Sequence, residues 1–446
     1  MLRNPLCQSK SSDVNKNIPL DKSPASIILY PVANKEVDQQ EIWSQQRSRK
    51  KLGNGIGLYL HIPFCKSLCT FCPFTKYIWE KDKETDYIKA LKREIDLYTN
   101  LPLVKGNDIS TIYFGGGTPT SLSTNSLVEL LDYIKEKFKI IQQPEITVET
   151  HPLTVSEDKL AKIKDKGVNR ITMGVQSFSD NLLKILGCKH NKKQSVSAIK
   201  TLKDIGFDSF GLDIFYRIPT QTMYDWEESL DIVTEFEPDH ISCYNLGVFP
   251  GTLLHKKIIN GEISKQPDLT VMVEMYKRAR IYLEKHGYQE YTISNYMKGG
   301  KSSHYLKLTL EAPQGQYLGL GLSSFEYAND FYSHKVSSLN EYIDMIEKNI
   351  IPYSKGVYIS KELKMARYMV LGIGCLRVSK TEFKKKFNLD INEVHGGVIN
   401  DLKKWNLIGE DHSWIWLTEI GKEYAASISK MFYSNSSKGI LQGEKV

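Results

Sequence analysis

Cys65, Cys69 and Cys72 sit in "LYLHIPFCKSLCTFC" with the spacing C-x3-C-x2-C, three of the chain's seven cysteines within eight positions. The others, Cys7, Cys188, Cys243 and Cys375, are scattered. An odd cysteine count, with three clustered in an otherwise cysteine-poor chain, argues against a disulfide framework and for metal or cluster ligation. Zinc ribbons need four ligands from paired C-x2-C elements, and no second pair exists here. Three thiolates on a tight loop can instead hold three irons of a [4Fe–4S] cluster and leave the fourth iron open to a small molecule.

Such a loop needs a scaffold, and the sequence supplies one. Strand-like runs "GLYLHI", "ISTIYFGG", "EITVET", "RITMGVQ", "DSFGLDIFY" and "HISCYNLGV" alternate with helical patterns such as "TDYIKALKREIDLYTN" and "QSVSAIKTLKDIG". Strands alternating with helices pair in parallel through right-handed crossovers. The expected fold is α/β, a partial (β/α)6 TIM-like barrel with its chemistry at the C-terminal strand ends. The cysteines follow the first of those ends. The expected division is an N-terminal extension (1–54), the core barrel (55–260), an α+β extension (261–355) and a C-terminal winged-helix-like unit (356–446). The winged shape can serve DNA binding but fits a packing lid better.

Composition narrows the classes. The chain has 446 residues, enough for two or three domains, with 41% hydrophobic and 25% charged residues. Its apolar runs, such as "ASIILYPVA", fall short of the roughly 20 residues that span a bilayer, so a cytoplasmic protein is expected. The net charge of +7 is scattered along helices and not gathered into an arm, which disfavours nucleic acid as a partner.

The cysteine stretch resembles the radical S-adenosylmethionine (SAM) superfamily, and within it the oxygen-independent coproporphyrinogen III oxidase-like family with its heme-chaperone and class C methyltransferase or heme-utilisation relatives. "IYFGGGTPTSL", "ITVETHP", "VNRITMGVQSF", "HISCYNLGVFPGT" and "GYQEYTISNY" extend the likeness over residues 55–330. The resemblance implies a [4Fe–4S] cluster on Cys65, Cys69 and Cys72. It also implies reductive cleavage of SAM to methionine and a 5′-deoxyadenosyl radical, with an electron donor such as flavodoxin or ferredoxin. Tyr59 and Phe71 then edge the SAM pocket, and Gly115, Gly116, Gly117 and Thr118 receive the methionine amino group. Glu149 takes the ribose, Gln176 and Asp213 make polar contacts, and Arg170 braces the barrel. The implied substrate is a tetrapyrrole or a similar conjugated molecule, modified by oxidation or by methyl transfer that uses two SAM molecules. The alternative is a heme-binding trafficking protein.

Four departures bear on the transfer of function. Cys188 in "LGCKH" stands where the family carries an arginine that clamps the SAM carboxylate, leaving Lys189 or His190 as replacements. Arg217 and Thr220 stand where glycines are usual. Phe74 replaces a further cysteine of the oxidase. His304 survives from a heme-binding motif whose Asn, Tyr and Trp are missing.

Overall fold

The computed structural model describes residues 18–27, 29–33, 35–36, 52–53, 55–310 and 315–434. Cys7 and most of the polar N-terminal stretch lie outside the described residues.

Six strands alternate with helices as expected: β1 Ile56–Ile62, β2 Ile109–Gly116, β3 Ile140–Thr150, β4 Arg170–Gln176, β5 Ser209–Tyr216 and β6 His240–Asn245. They pair in parallel and in sequence order. Helices such as Lys81–Thr99, Thr124–Lys137 and Lys192–Ile205 return the chain between them. The last shows how tightly the ends are specified. The Asn191 side chain accepts the Gln194 N–H at 2.9 Å, and Gly206 stops the helix in the left-handed region at φ 69°. Buried on both faces, β1 reads as a nearly continuous apolar run.

The residues beyond 260 extend this sheet at both edges. On one side the hairpin β7 Gln289–Thr292 and β8 Asn295–Met297 adds antiparallel to β6. On the other, β9 Gln316–Leu320 pairs in parallel with β1. The antiparallel strands β10 Phe325–Ala328, β11 Phe331–Lys335 and β12 Tyr353–Tyr358 follow, and Lys35–Glu36 forms the outer edge. The result is one mixed sheet of thirteen strands among the described residues, an open barrel and not a closed one.

The last unit has helices Lys361–Gly374, Lys380–Phe387 and Ile391–Lys404, then the ribbon Ile408–Glu410 and Trp414–Leu417, with Arg377–Ser379 as third strand. It is packed down and does not stand free. The Ile293 N–H donates to the Gly374 carbonyl at 2.9 Å. Arg367 is fully buried, with its guanidinium 4.5 Å from the Tyr327 ring centre and a hydrogen bond to the Tyr30 carbonyl. The described residues from 18 to 33 lie across this unit as a strap. Ser23 exchanges backbone hydrogen bonds with Glu423 and Ala426, and Tyr30 stacks on Tyr433 at 4.7 Å.

Candidate functional site

Beyond β1 the chain turns at Pro63 into a two-residue ladder of Phe64–Cys65 with Tyr77–Ile78, which closes the cysteine loop at its base. The glycine-rich turn after β2 is bonded to the same place. Gly117 N–H donates to the Ile62 carbonyl and Thr118 N–H to the Phe64 carbonyl, both at 2.8 Å. A Cβ on Gly117 would lie 2.9 Å from the Phe64 oxygen and 3.0 Å from Cys65 Sγ. Only glycine lets the two loops meet so closely. Gly116 is left-handed at φ 110° with His61 directly beneath it.

The three cysteines feel one another electrostatically. Burial pushes the Cys65 thiol up to about 11, with the Thr118 hydroxyl, 3.7 Å from its sulfur, working against it. Burial also raises Cys72, opposed by Lys76, whose ammonium donates to the Cys72 carbonyl at 2.7 Å. No three described His, Cys, Asp or Glu residues converge tightly enough to hold a single metal ion.

The strand ends bring further polar groups to the same mouth. Register places Tyr59 beside Tyr113, Gly174 beside Asp213 and Asp213 beside Ser242, so these positions share the lumen face. The Tyr113 hydroxyl donates to Glu149 Oε1 at 2.8 Å. Burial pushes Glu149 up to about 7, Tyr113 opposing and Asp213 adding to it. Burial likewise raises Asp213 to about 6, against the Ser242 hydroxyl and Arg170. Gln176 Oε1, Asp213 Oδ1 and Asn245 Oδ1 are buried acceptors without a hydrogen-bond partner among the described residues. Gln176 also has a left-handed backbone, φ 69°, the kind of strain that collects at binding sites. Phe71 packs edge-on to Phe215 at 5.1 Å.

The sequence reading missed three of these neighbours. Tyr305, at the start of helix His304–Leu310, stacks 4.8 Å from Tyr113 and 6.0 Å from Tyr59, making a platform of three tyrosine rings next to Glu149. Period-2 alternation in "ISTIYFGG" could have placed Tyr113 on the lumen face, and strand-end position could have flagged Asn245. Nothing local marks Tyr305.

The departures resolve as follows. Cys188 is buried with its sulfur 3.9 Å from Cys69 Sγ. Lys189 is exposed, and His190 is buried with Nε2 3.0 Å from the Val175 carbonyl. Arg217, left-handed at φ 63°, turns to the Pro267 carbonyl at 2.8 Å and the Met272 sulfur, which leaves it neither a surface salt bridge nor a group of the lumen. Arg170 donates to the Ser209 hydroxyl at 2.9 Å, bracing β4 to β5. Phe74 is exposed at the loop tip. His304 is half-buried, its helix start held by Glu145, which accepts the His304 and Tyr305 N–H groups at 3.0 Å.

Thiols on a loop that only glycine can approach, beside buried acceptors awaiting donors, fit a cluster and a polyhydroxylated, zwitterionic cosubstrate. The comparisons agree on the class: the model of the radical SAM superfamily matches residues 59–233. More narrowly, the heme chaperone HemW of Bacillus subtilis is 32% identical over 366 residues, covering 82% of this chain and 95% of its own length. The oxygen-independent coproporphyrinogen III oxidase of Escherichia coli is 25% identical, covering 84% and 85%. The solved structure of the E. coli oxidase HemN overlays with a TM-score of 0.78 at 22% identity, over 89% of this chain and 93% of that one. The chain belongs to this coproporphyrinogen III oxidase-like family of radical SAM proteins, which implies a [4Fe–4S] cluster and SAM. No described helix is long and apolar enough to cross a membrane.

Proposed function

We propose that this chain holds a [4Fe–4S] cluster on Cys65, Cys69 and Cys72, binds SAM over the strand ends, and acts as an enzyme on a tetrapyrrole. The observation that carries it is the set of buried acceptors, Gln176 Oε1, Asp213 Oδ1 and Asn245 Oδ1, left without donors in the C-terminal halves of β4, β5 and β6. Unpaired buried acceptors cost free energy that a ligand's hydroxyl and ammonium groups recover. When bound, the cluster supplies the electron that breaks the S–C5′ bond of SAM.

The chain's own residues do the rest. Glu149 and Asp213 accept the ligand's hydroxyl and amino protons, and Tyr113 fixes the Glu149 carboxylate by donating to it. The clustered rings of Tyr59, Tyr113 and Tyr305 give an aromatic surface for a planar group and keep water from the reacting atoms. Proximity matters most, because a primary radical must meet its target before anything else.

A second reading, a heme-binding and trafficking protein, is supported by the relatives named heme chaperone and by His304 at the site's edge. One experiment separates the two. Anaerobically reconstituted, reduced protein is mixed with SAM, with and without hemin, and 5′-deoxyadenosine, methionine and S-adenosylhomocysteine are followed by mass spectrometry. Deoxyadenosine that rises with the porphyrin supports the enzyme, and S-adenosylhomocysteine beside it specifies methyl transfer with a second SAM. An intact, reducible cluster giving neither product, with hemin binding that His304→Ala abolishes, sinks the enzyme and leaves the trafficking protein.

A further inference from the structure

Where the family sets a charged clamp, this chain buries a thiol, and the structure shows what that thiol touches. Cys188 closes a small apolar nest of Leu182, Leu183, Leu186, Ile218, Leu246 and Leu254, against which Cys69 and Phe71 pack. Among the described residues, the polar contact of its side chain is the Cys69 sulfur, at 3.9 Å.

That approach is built by the backbone. Thr70 donates to the Leu186 carbonyl twice, through its N–H at 3.0 Å and its hydroxyl at 2.8 Å. Leu254 N–H in turn donates to the Thr70 carbonyl at 2.9 Å. Gly187 is left-handed at φ 72°, and a Cβ there would stand 2.5 Å from the Thr70 methyl. The turn at 186–188 therefore presses on the middle of the cysteine loop and delivers the Cys188 thiol to Cys69. Lys189 and His190 take no part, one exposed and the other bonded to the Val175 carbonyl.

We propose that Cys188 is a positioning residue for the cluster: its S–H donates a hydrogen bond to the Cys69 thiolate and so raises the reduction potential of the iron–sulfur centre. Reduction adds negative charge that spreads onto the cysteine sulfurs, so a donor to one of them stabilises the reduced form. The nest strengthens the effect because no water competes and the surrounding dielectric is low. The inference rests on Cys69 being a cluster ligand.

The test uses the full-length protein, reconstituted anaerobically, with Cys188→Ala and Cys188→Ser. Iron and sulfide per chain are counted first. The midpoint potential is then read by titration followed by electron paramagnetic resonance, and the terminal Fe–S stretch by resonance Raman. The expected result is unchanged iron in both variants. Alanine should give a more negative midpoint and a higher stretching frequency, and serine, which keeps a donor, should restore both towards the parent. If alanine and serine both leave midpoint and frequency where they were, Cys188 is a passive filler and the proposal fails. It fails also if alanine loses the iron, because a tuning donor is dispensable for assembly. An unsubstituted chain that takes up no iron overturns the cluster assignment itself, a separate result from either.

Discussion

Glu149 and Asp213 make the site sensitive to pH at the level of single residues. Burial holds Glu149 up at about 7 against an ordinary 4.5, and Asp213 at about 6 against 3.8. The folded chain therefore keeps protons that the unfolded chain has released, and stability falls as pH rises through that interval. Glu149→Gln removes the Glu149 share of the effect and leaves that of Asp213. Its melting temperature is expected to gain on the parent between about pH 4.5 and 7 and to hold a constant lead above; a pH series of thermal melts reads this directly. Cys65→Ala, Cys69→Ala or Cys72→Ala is expected to remove the cluster, measured as iron per chain after reconstitution. Much at this scale was legible, because Cys65, Cys69, Cys72, Glu149 and Gln176 end or follow a strand within a short local pattern, whereas Asp213 sits inside β5, three residues short of its end. Tyr305 was not, because it reaches the lumen from a helix far along the chain and reads locally as an ordinary helical aromatic. Arg217 was legible as unusual but not in its direction, which depends on Pro267 and Met272.

Among elements, the decisive feature is how close the glycine-rich turn comes to the cysteine loop. Gly117→Ala forces a methyl against the Phe64 carbonyl and Cys65 Sγ. Its expected outcome is a chain that folds, by circular dichroism, yet retains less iron than the parent. The six parallel strands and their helices were readable because apolar runs and 3.6-residue periodicity alternate cleanly. The flanking strands β11 and β12 were not. "FYSHK" and "YSKGVY" carry lysine, histidine and serine, and their strand character comes from pairing with neighbours. Helix Lys81–Thr99 explains one of those lysines. Lys335 and Glu94 form a fully buried ion pair, and Glu94 also accepts the Gly321 N–H and the Tyr342 hydroxyl at 2.7 Å. Removing only the lysine, as in Lys335→Met, strands the carboxylate and is expected to cost about 3–5 kcal/mol, read as a fall in the urea midpoint. Glu94→Gln with Lys335→Met should recover much of that loss.

For the whole molecule, the sheet gathers residues from both ends of the chain around one open lumen, and the last unit closes over its outer side. The strap holds that unit through Ser23 and Tyr30, and the pairing of Lys35–Glu36 with Gly356 and Lys355 of β12 ties it to the sheet. A chain begun at residue 37 is expected to keep the barrel's far-ultraviolet spectrum but to exchange amide hydrogens faster over 421–434. Equal exchange there would make the strap an ornament.

The same strap has a temporal consequence. Residues 18–36 leave the ribosome before any of the six parallel strands, whereas Glu423, Ala426 and Tyr433 follow all of them, so this segment must wait until the barrel has been made before it can dock. The barrel strands can pair as they emerge, each beside its predecessor. The clasp between the two ends cannot, and it becomes the closing event of folding, one that a prematurely stopped chain never reaches.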